Sequence, residues 1–169
     1  MMTATRMPPQ TALPHELPLA DLAATERLGR ALAGLLRRGD VVALNGDLGA
    51  GKTALARALI RALPGPEGSA DEEVPSPTFT LVQIYERDPA PVWHFDLYRI
   101  EDPVEIEELG LTEALAEGIT LIEWPQRLGR PLPAASRSVT LAYSGAEEAR
   151  EVRLEGGGNW PQRLAEMRP

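Results

Sequence analysis

The spacing of apolar residues in the first third of the chain predicts a helix, a strand and a second helix. Leucines recur at helical spacing after Asp21, where Asp21 or Thr25 caps the start, and the pattern ends near Gly39. VVALN (residues 41–45) is a short, fully apolar run, which is typical of a strand buried in a parallel sheet. TALARALIRAL (residues 53–63) then predicts a strong helix that ends before a proline.

The rest of the chain continues this alternation of strands and helices. Three further runs predict short strands: FTLVQIY at 79–85, VWHF at 92–95 and ITLI at 119–122. Helices are predicted to start at Asp102, which precedes a proline and an acidic residue, and at Thr112. SVTLAY (138–143) and EVRLE (151–155) predict an antiparallel hairpin.

This order of elements predicts a single-domain α/β fold: a mixed, mostly parallel sheet flanked by helices, with an antiparallel hairpin added late. No shift in composition marks an internal boundary. Residues 1–18, which carry four prolines and no periodicity, are predicted to be a mobile N-terminal lead with a short edge strand near residues 11–13. Residues 19–155 form the predicted folded domain, and residues 156–169, which begin with GGGN, form a flexible tail with a candidate short helix.

One motif carries chemistry with high specificity. NGDLGAGKTAL (45–55) contains G-x-x-x-x-G-K-[ST] between a predicted strand and a predicted helix, which makes the domain a P-loop NTPase. Glycines let backbone N–H groups wrap a phosphate, and the helix N-terminus faces the same anion. Lys52 then contacts the terminal phosphates, and Thr53 offers a hydroxyl to Mg²⁺. The predicted nucleotide-binding residues of this loop are Gly46, Asp47, Leu48, Gly49, Ala50, Gly51, Lys52, Thr53 and Ala54.

Lys52 is the only lysine among the 17 lysine and arginine residues of the chain. A planar, forked guanidinium does not fit inside a tight ring of backbone groups, whereas a compact ammonium does. The lone lysine also removes the N-K-x-D motif with which GTPases read guanine. We therefore expect the nucleotide to be ATP.

Two acidic residues end apolar strands, where ligands of an open parallel sheet bind. Glu123 follows ITLI and is expected to hold Mg²⁺, either directly or through water. Asp96 follows VWHF and either does the same or orients the attacking water. The predicted catalytic residues are Lys52, Asp96 and Glu123. The alternative interpretation of each acid is that it caps the element that follows its strand.

Thr78 lies in the sequence Ser-Pro-Thr, directly before a predicted strand. Its hydroxyl either senses the γ-phosphate or belongs to a proline turn that starts the strand.

Other residues near these motifs have two interpretations each. Trp124 either covers the site or anchors a loop, and His94, on the same strand face as Asp96, is either packed or catalytic. Arg99 either contacts phosphate or a partner, or lies on the surface. The start of the first helix, residues 22–25, is the expected place for contacts to adenine.

Composition narrows the classes of function. The 169-residue chain has no cysteine, which excludes disulfides, thiolate nucleophiles and cysteine-ligated metal sites. Its net charge of −8 suits it poorly to binding a nucleic-acid backbone directly. No apolar run is long enough to cross a bilayer, and the N-terminus has no secretory pattern, so we expect a cytoplasmic protein with no membrane partner.

Four blocks, GDLGAGKT, SPTFTLV, HFDLYR and IEWPQRL, occur in this order, and with them the chain resembles the TsaE (YjeE) family over residues 22–143. Members are bacterial ATPases required for threonylcarbamoyladenosine at position 37 of tRNAs that read ANN codons. The resemblance implies ATP hydrolysis with Mg²⁺ held by Thr53 and Glu123, a functionally necessary Asp96 and a switch-like Thr78. It also implies TsaD and TsaB as partners: hydrolysis resets their heterodimer between rounds, and tRNA is engaged through TsaD rather than by this chain.

Two other functions share the same core. A small-molecule kinase would need an arginine-bearing lid, for which Arg127 and Arg130 after Glu123 are the candidates, and would transfer phosphate to a nucleoside or nucleotide. A non-catalytic, nucleotide-dependent binding module would associate with partners in an ATP-dependent way without releasing phosphate.

Overall fold

A computed structural model describes residues 15–167, which form one seven-stranded sheet with helices on both faces. The strands are β1 (His15–Leu19), β2 (Val41–Asn45), β3 (Val82–Tyr85), β4 (Val92–Asp96), β5 (Ile119–Glu123), β6 (Arg137–Tyr143) and β7 (Arg150–Gly156). The helices are α1 (Leu22–Ala33), α2 (Lys52–Ala62), α3 (Val104–Glu108), α4 (Leu111–Glu117) and α5 (Trp160–Ala165). Short 3₁₀ turns occur at Ser69–Asp71 and Pro125–Leu128. No helix within the described range has both the length and the apolar character needed to span a membrane.

The strand order is β1-β7-β6-β2-β5-β4-β3. The central pairs β6–β2, β2–β5 and β5–β4 are parallel, whereas the outer pairs are antiparallel. The predicted mixed sheet with a late antiparallel hairpin is confirmed. Because β2, β4 and β5 run in the same direction, their carboxyl ends meet at one edge, where Asp96 is paired in register with Glu123.

Two apolar clusters cover the two faces of the sheet. Alternate residues of β2 belong to different clusters: Val42 and Leu44 pack with α1 and α2, whereas Val41 packs with α3 and α4. This division follows from the period of two in a strand, and the apolar run at 41–44 reflects burial on both faces.

The first helix is shorter than its sequence pattern suggests. Asp21 caps α1 as predicted, because its carboxylate accepts a hydrogen bond from the Ala24 N–H at 2.9 Å. The helix ends at Ala33 rather than near Gly39. A turn follows instead, in which the Asp40 carboxylate accepts from the Arg37 N–H and Gly39 adopts a positive φ of 88°.

Strand β3 is also shorter than predicted. The expected strand began at Phe79, but β3 begins at Val82. Leu81 has a φ of +69°, and its N–H donates to the Pro77 carbonyl at 2.7 Å, so residues 77–81 form a turn. Phe79 is 79% exposed on this turn.

Both ends of the described chain pack against the domain. β1 pairs with β7, whereas the edge strand predicted near residues 11–13 lies outside the described residues. The short helix predicted after residue 156 is α5, and it buries Trp160 and Leu164 in the cluster under α1 and α2. The helix therefore packs on the core, although its segment was expected to be a flexible tail; the domain bounds stay predictions.

Candidate nucleotide-binding site

The phosphate loop joins the buried strand β2 to α2 at the carboxyl edge of the sheet. Gly46 has a φ of +146°, and a Cβ at this position would lie 2.6 Å from the Leu141 carbonyl oxygen. Gly51 has a φ of +108° immediately before α2 begins. Both positions therefore require glycine, since other residues rarely adopt this backbone conformation. The loop places the free N–H groups of the first turn of α2 toward a cavity.

Lys52 is buried inside this loop. Its Nζ donates to the backbone carbonyls of Gly46 at 2.5 Å and Asp47 at 2.9 Å, and it lies 4.2 Å from the centre of the Trp124 ring. Burial lowers the pKa of Lys52, while the negative charge of Glu123, followed by that of Asp96 and then of Asp47, opposes this shift. The ammonium is thus held in a compact ring in which an anion offers a better partner than the two carbonyls.

Three side chains form a hydrogen-bonded series beside the lysine. Thr53 Oγ1 donates to Glu123 Oε1 at 2.8 Å, and His94 Nε2 lies 2.7 Å from Glu123 Oε2. His94 is 0% exposed and Glu123 is 2% exposed. Both oxygens of this buried carboxylate are therefore occupied, one by the phosphate-loop threonine and the other by the neighbouring strand.

Asp96 connects the sheet edge to the segment that contains Thr78. Its Oδ1 accepts from the Tyr98 N–H at 2.9 Å, and its Oδ2 accepts from Thr78 Oγ1 at 3.2 Å. Ser76 Oγ lies 2.7 Å from the same threonine hydroxyl. Asp96 therefore caps the segment after β4 and at the same time faces the site, so the two interpretations from the sequence are compatible.

A cavity of about 230 Å³ lies over these groups. Most of the predicted residues line it: Leu48, Gly49, Gly51, Lys52, Thr53, Ala54, Thr78, Asp96 and Glu123. Three predicted residues do not line it: the carbonyls of Gly46 and Asp47 accept from Lys52, and Ala50 is buried. Arg99 does not line the cavity; its guanidinium carbon lies 4.3 Å from the centre of the Phe79 ring.

Trp124 forms one wall of the cavity. It has a φ of +60°, and its ring lies 4.9 Å from that of Tyr98. This conformation is uncommon for a residue with a bulky side chain, and such residues concentrate at functional sites. The sequence left open whether Trp124 covers the site or anchors a loop. In the structure its ring covers Lys52.

The structure adds two residues that the sequence analysis missed. Tyr143, at the end of β6, donates its hydroxyl to the Leu48 carbonyl at 2.8 Å. Arg150, at the start of β7, donates Nε to the Ala50 carbonyl at 3.2 Å and Nη2 to the Gly49 carbonyl at 3.3 Å. The hairpin thus braces the outside of the phosphate loop. No local motif marks these residues, which lie about 100 positions after their partners.

The donor set fits Mg²⁺ bound together with a nucleotide. Mg²⁺ takes oxygen ligands and usually has only one or two from protein, the others coming from phosphates and water. Thr53 and Glu123 provide one hydroxyl and one carboxylate at the open end of the loop. Across residues 15–167, no group of three or more His, Asp or Glu side chains is placed to hold a metal ion. Any Mg²⁺ here would therefore depend on phosphate oxygens.

The chain is similar in sequence and in fold to proteins of one family. The model of the family described as "Threonylcarbamoyl adenosine biosynthesis protein TsaE" matches residues 19–152. A tRNA threonylcarbamoyladenosine biosynthesis protein TsaE from Rickettsia bellii is 42% identical over 117 residues, 69% of this chain and 78% of the relative. Its Bacillus subtilis counterpart is 34% identical over 143 residues, 84% of this chain and 85% of the relative. The crystal structure of Bacillus subtilis YdiB matches with a TM-score of 0.71 and 26% identity, covering 91% of this chain and 94% of that chain.

Proposed function

Because the chain belongs to the TsaE family of threonylcarbamoyl adenosine biosynthesis proteins, we propose that it is a Mg²⁺-dependent ATPase of that biosynthesis. The observation that carries the proposal is the juxtaposition of three groups. A buried lysine lies in a phosphate loop, a threonine hydroxyl follows it, and a strand-end carboxylate lies 2.8 Å from that hydroxyl. These are the parts that P-loop enzymes use to bind a nucleoside triphosphate with its metal ion.

In this proposal the site residues divide into two groups. Lys52 and the loop N–H groups bind the β- and γ-phosphates and offset the charge that develops when the terminal phosphoryl group is transferred. Thr53 and Glu123 would hold Mg²⁺, which would offset the negative charge of the phosphates when bound. The triphosphate occupies the cavity that the loop residues Leu48, Gly49 and 51–54 line together with Thr78, and Gly46, Asp47 and Ala50 complete the loop around it.

The reaction is the in-line attack of water on the γ-phosphorus, which breaks the bond to the β-phosphate and releases ADP and phosphate. Asp96 orients the attacking water, because its carboxylate is buried at the cavity and is already hydrogen-bonded to Thr78. Thr78 responds to the γ-phosphate, since its hydroxyl can exchange Asp96 or Ser76 for a phosphate oxygen. A segment that rearranges in this way reports the state of the nucleotide to a partner.

We further propose that the chain acts in the cytoplasm with the TsaD and TsaB proteins, and that tRNA is engaged through them. The net charge of −8 supports this division, because an acidic surface is a poor site for a phosphate backbone. Neither lid candidate of the kinase alternative, Arg127 or Arg130, lines the cavity over the phosphate loop, which favours the ATPase.

The test is phosphate release from Mg·ATP, measured with and without purified TsaB and TsaD. We expect slow release by the chain alone and stimulation by the partners. Glu123→Ala should abolish hydrolysis and spare much of the ATP binding, whereas Glu105→Ala, an exposed carboxylate on α3, should behave as the unmodified chain. Normal turnover in Glu123→Ala would remove Glu123 from the site. Absence of both stimulation and complex formation would refute the partner assignment.

A further inference from the structure

Two neighbouring hollows lie on the face of the sheet opposite α1 and α2. One, of about 270 Å³, lies between α4 and the segment that follows β5. The other, of about 220 Å³, lies between α3 and the same segment. Leu111, Leu128 and Arg130 line both hollows, so the two form one continuous α3–α4 groove. Its other lining residues are mostly apolar and include Leu115 and Leu132.

The α3–α4 groove suits single apolar side chains rather than a whole small molecule. Each hollow is smaller than the about 300 Å³ from which small-molecule pockets begin. Val104, which lines the groove, is 64% exposed, and Leu115 and Leu132 are only partly buried. Residues 15–167 therefore leave apolar surface of the groove facing solvent, and two side chains of a docked segment would cover it.

The helices beside the groove carry the negative charge of the chain. Residues 101–126 contain eight of the 25 acidic residues and none of the 17 basic ones, so the rest of the chain has 17 of each. The whole net charge of −8 thus belongs to this stretch. One of the eight is the buried Glu123 of the nucleotide site, whereas the other seven are exposed on and around α3 and α4.

This charge decides which class of molecule fits the groove. Nucleic acids and the anionic surfaces of membranes are repelled by such a face, whereas lysine and arginine side chains are attracted to it. Apolar anchors surrounded by basic residues are the pattern of an amphipathic helix that docks in a groove. We propose that the α3–α4 groove binds a basic amphipathic helix of a partner protein. The inference is independent of the nucleotide site.

The groove already contains one contact of the kind that this helix would make. Arg130 Nη2 lies 3.1 Å from Glu107 Oε1, where the two hollows meet. The side chains are 48% and 46% exposed, and exposed ion pairs of this kind are weak. A basic side chain of the partner therefore replaces Arg130 at Glu107, and Arg130 competes with the docked helix.

Fluorescence anisotropy of a labelled peptide mixed with the full chain tests the inference. The probe has about 18 residues, with leucines on one helical face and lysines elsewhere, and its control has the same composition in scrambled order. The patterned probe should bind at least about tenfold more tightly than the scrambled one, because only its leucines can enter the groove together. Equal affinity of the two peptides would overturn the inference, since binding would then depend on charge alone.

Substitution of the groove wall gives an effect opposite in sign to simple charge attraction. Leu115→Asp should weaken binding of the patterned probe at least about tenfold, because it places a charge among apolar side chains. Charge attraction alone predicts tighter binding of a basic peptide. Ile84→Asp, at an apolar residue 49% exposed on β3, makes the same change away from the groove and should not weaken binding. Leu132→Ala, a milder change, should weaken it about threefold, and circular dichroism verifies the fold of each variant.

The two arginines after β5 provide a second test. Arg130→Ala should tighten binding of the patterned probe about twofold to fivefold, because it removes the competitor for Glu107. Arg127→Ala removes the same charge from a residue that does not line the groove, and should have less than half this effect. Equal tightening by both variants, or unchanged binding in both Leu115→Asp and Leu132→Ala, would overturn the inference. Sedimentation that shows a dimer of the unmodified chain, lost in Leu115→Asp, would also overturn it and assign the groove to a second copy of this chain.

Discussion

Replacement of His94 tests the buried contact that positions Glu123. An ionised carboxylate has no hydrogen to donate, so the 2.7 Å contact between His94 Nε2 and Glu123 Oε2 requires the hydrogen on the ring. The other ring nitrogen, Nδ1, has no hydrogen-bond partner among residues 15–167, so Nε2 is the atom through which the ring contacts a neighbouring side chain. We therefore expect His94 to hold Glu123 as a hydrogen-bond donor.

His94→Phe keeps a ring in the core but removes this donor. One oxygen of the carboxylate would then be buried without a partner, which costs about 2–3 kcal/mol for a charged group. His94→Gln returns an N–H donor at a similar distance from the backbone and should lose less than about half as much. Unfolding in urea, followed by circular dichroism, measures both values, and His15→Phe, at an exposed histidine on β1, is the control.

The same variants have a functional readout that a merely structural role would not change. Loss of a residue that orients a metal ligand typically costs about 10- to 100-fold in metal affinity or activity. The Mg²⁺ concentration for half-maximal ATP hydrolysis should therefore rise about tenfold or more in His94→Phe and be largely restored in His94→Gln. If His94→Phe unfolds at the same urea concentration and keeps its Mg²⁺ dependence, the assignment of His94 as a donor to Glu123 is wrong.

Two further predictions concern the phosphate loop. Lys52→Arg should weaken ATP binding at least about tenfold, because a guanidinium is too large for a ring whose carbonyls lie 2.5 and 2.9 Å from Nζ; an unchanged dissociation constant would contradict the shape argument. Arg150→Met should weaken ATP binding about threefold to tenfold, since it removes the hydrogen bonds to the Gly49 and Ala50 carbonyls; Arg153→Met, on the same strand, is the control, and equal affinities would show that the brace is dispensable.

The sequence predicted those elements whose signal is local. The strand at 41–45 was predicted with its observed bounds, because a short apolar run before a glycine loop has few other interpretations. The errors occur where one backbone angle ends an element. The positive φ of Leu81 breaks the apolar run that begins at Phe79, and side-chain hydrophobicity carries no sign of it. Similarly, the leucine pattern continues past Ala33, so the predicted helix was too long. In the structure α1 ends at Ala33, and a turn that Asp40 stabilises follows.

The candidate site shows the same division between local and long-range information. Lys52 and Thr53 are specified by eight consecutive residues, and Glu123 and Asp96 follow from the rule that ligands bind at the carboxyl ends of parallel strands. The partner of His94 required one more fact, namely that β4 lies beside β5 with Asp96 paired to Glu123. His94 and Glu123 then point to the same face, because residues two apart along a strand share a face.

The bracing of the phosphate loop depends on an even longer-range feature. Tyr143 and Arg150 reach the loop only because β6 pairs in parallel with β2, which places the turn of the late hairpin beside the loop. The same hairpin sequence could also pair at an edge of the sheet that is far from β2. In that position its side chains would not reach the phosphate loop, and the loop carbonyls would hydrogen-bond to water instead. The order of the strands therefore decides whether the hairpin serves only the sheet or also the site. In this chain the hairpin supports the bend that holds Lys52, so changes at Arg150 should affect nucleotide affinity more than they affect the stability of the sheet.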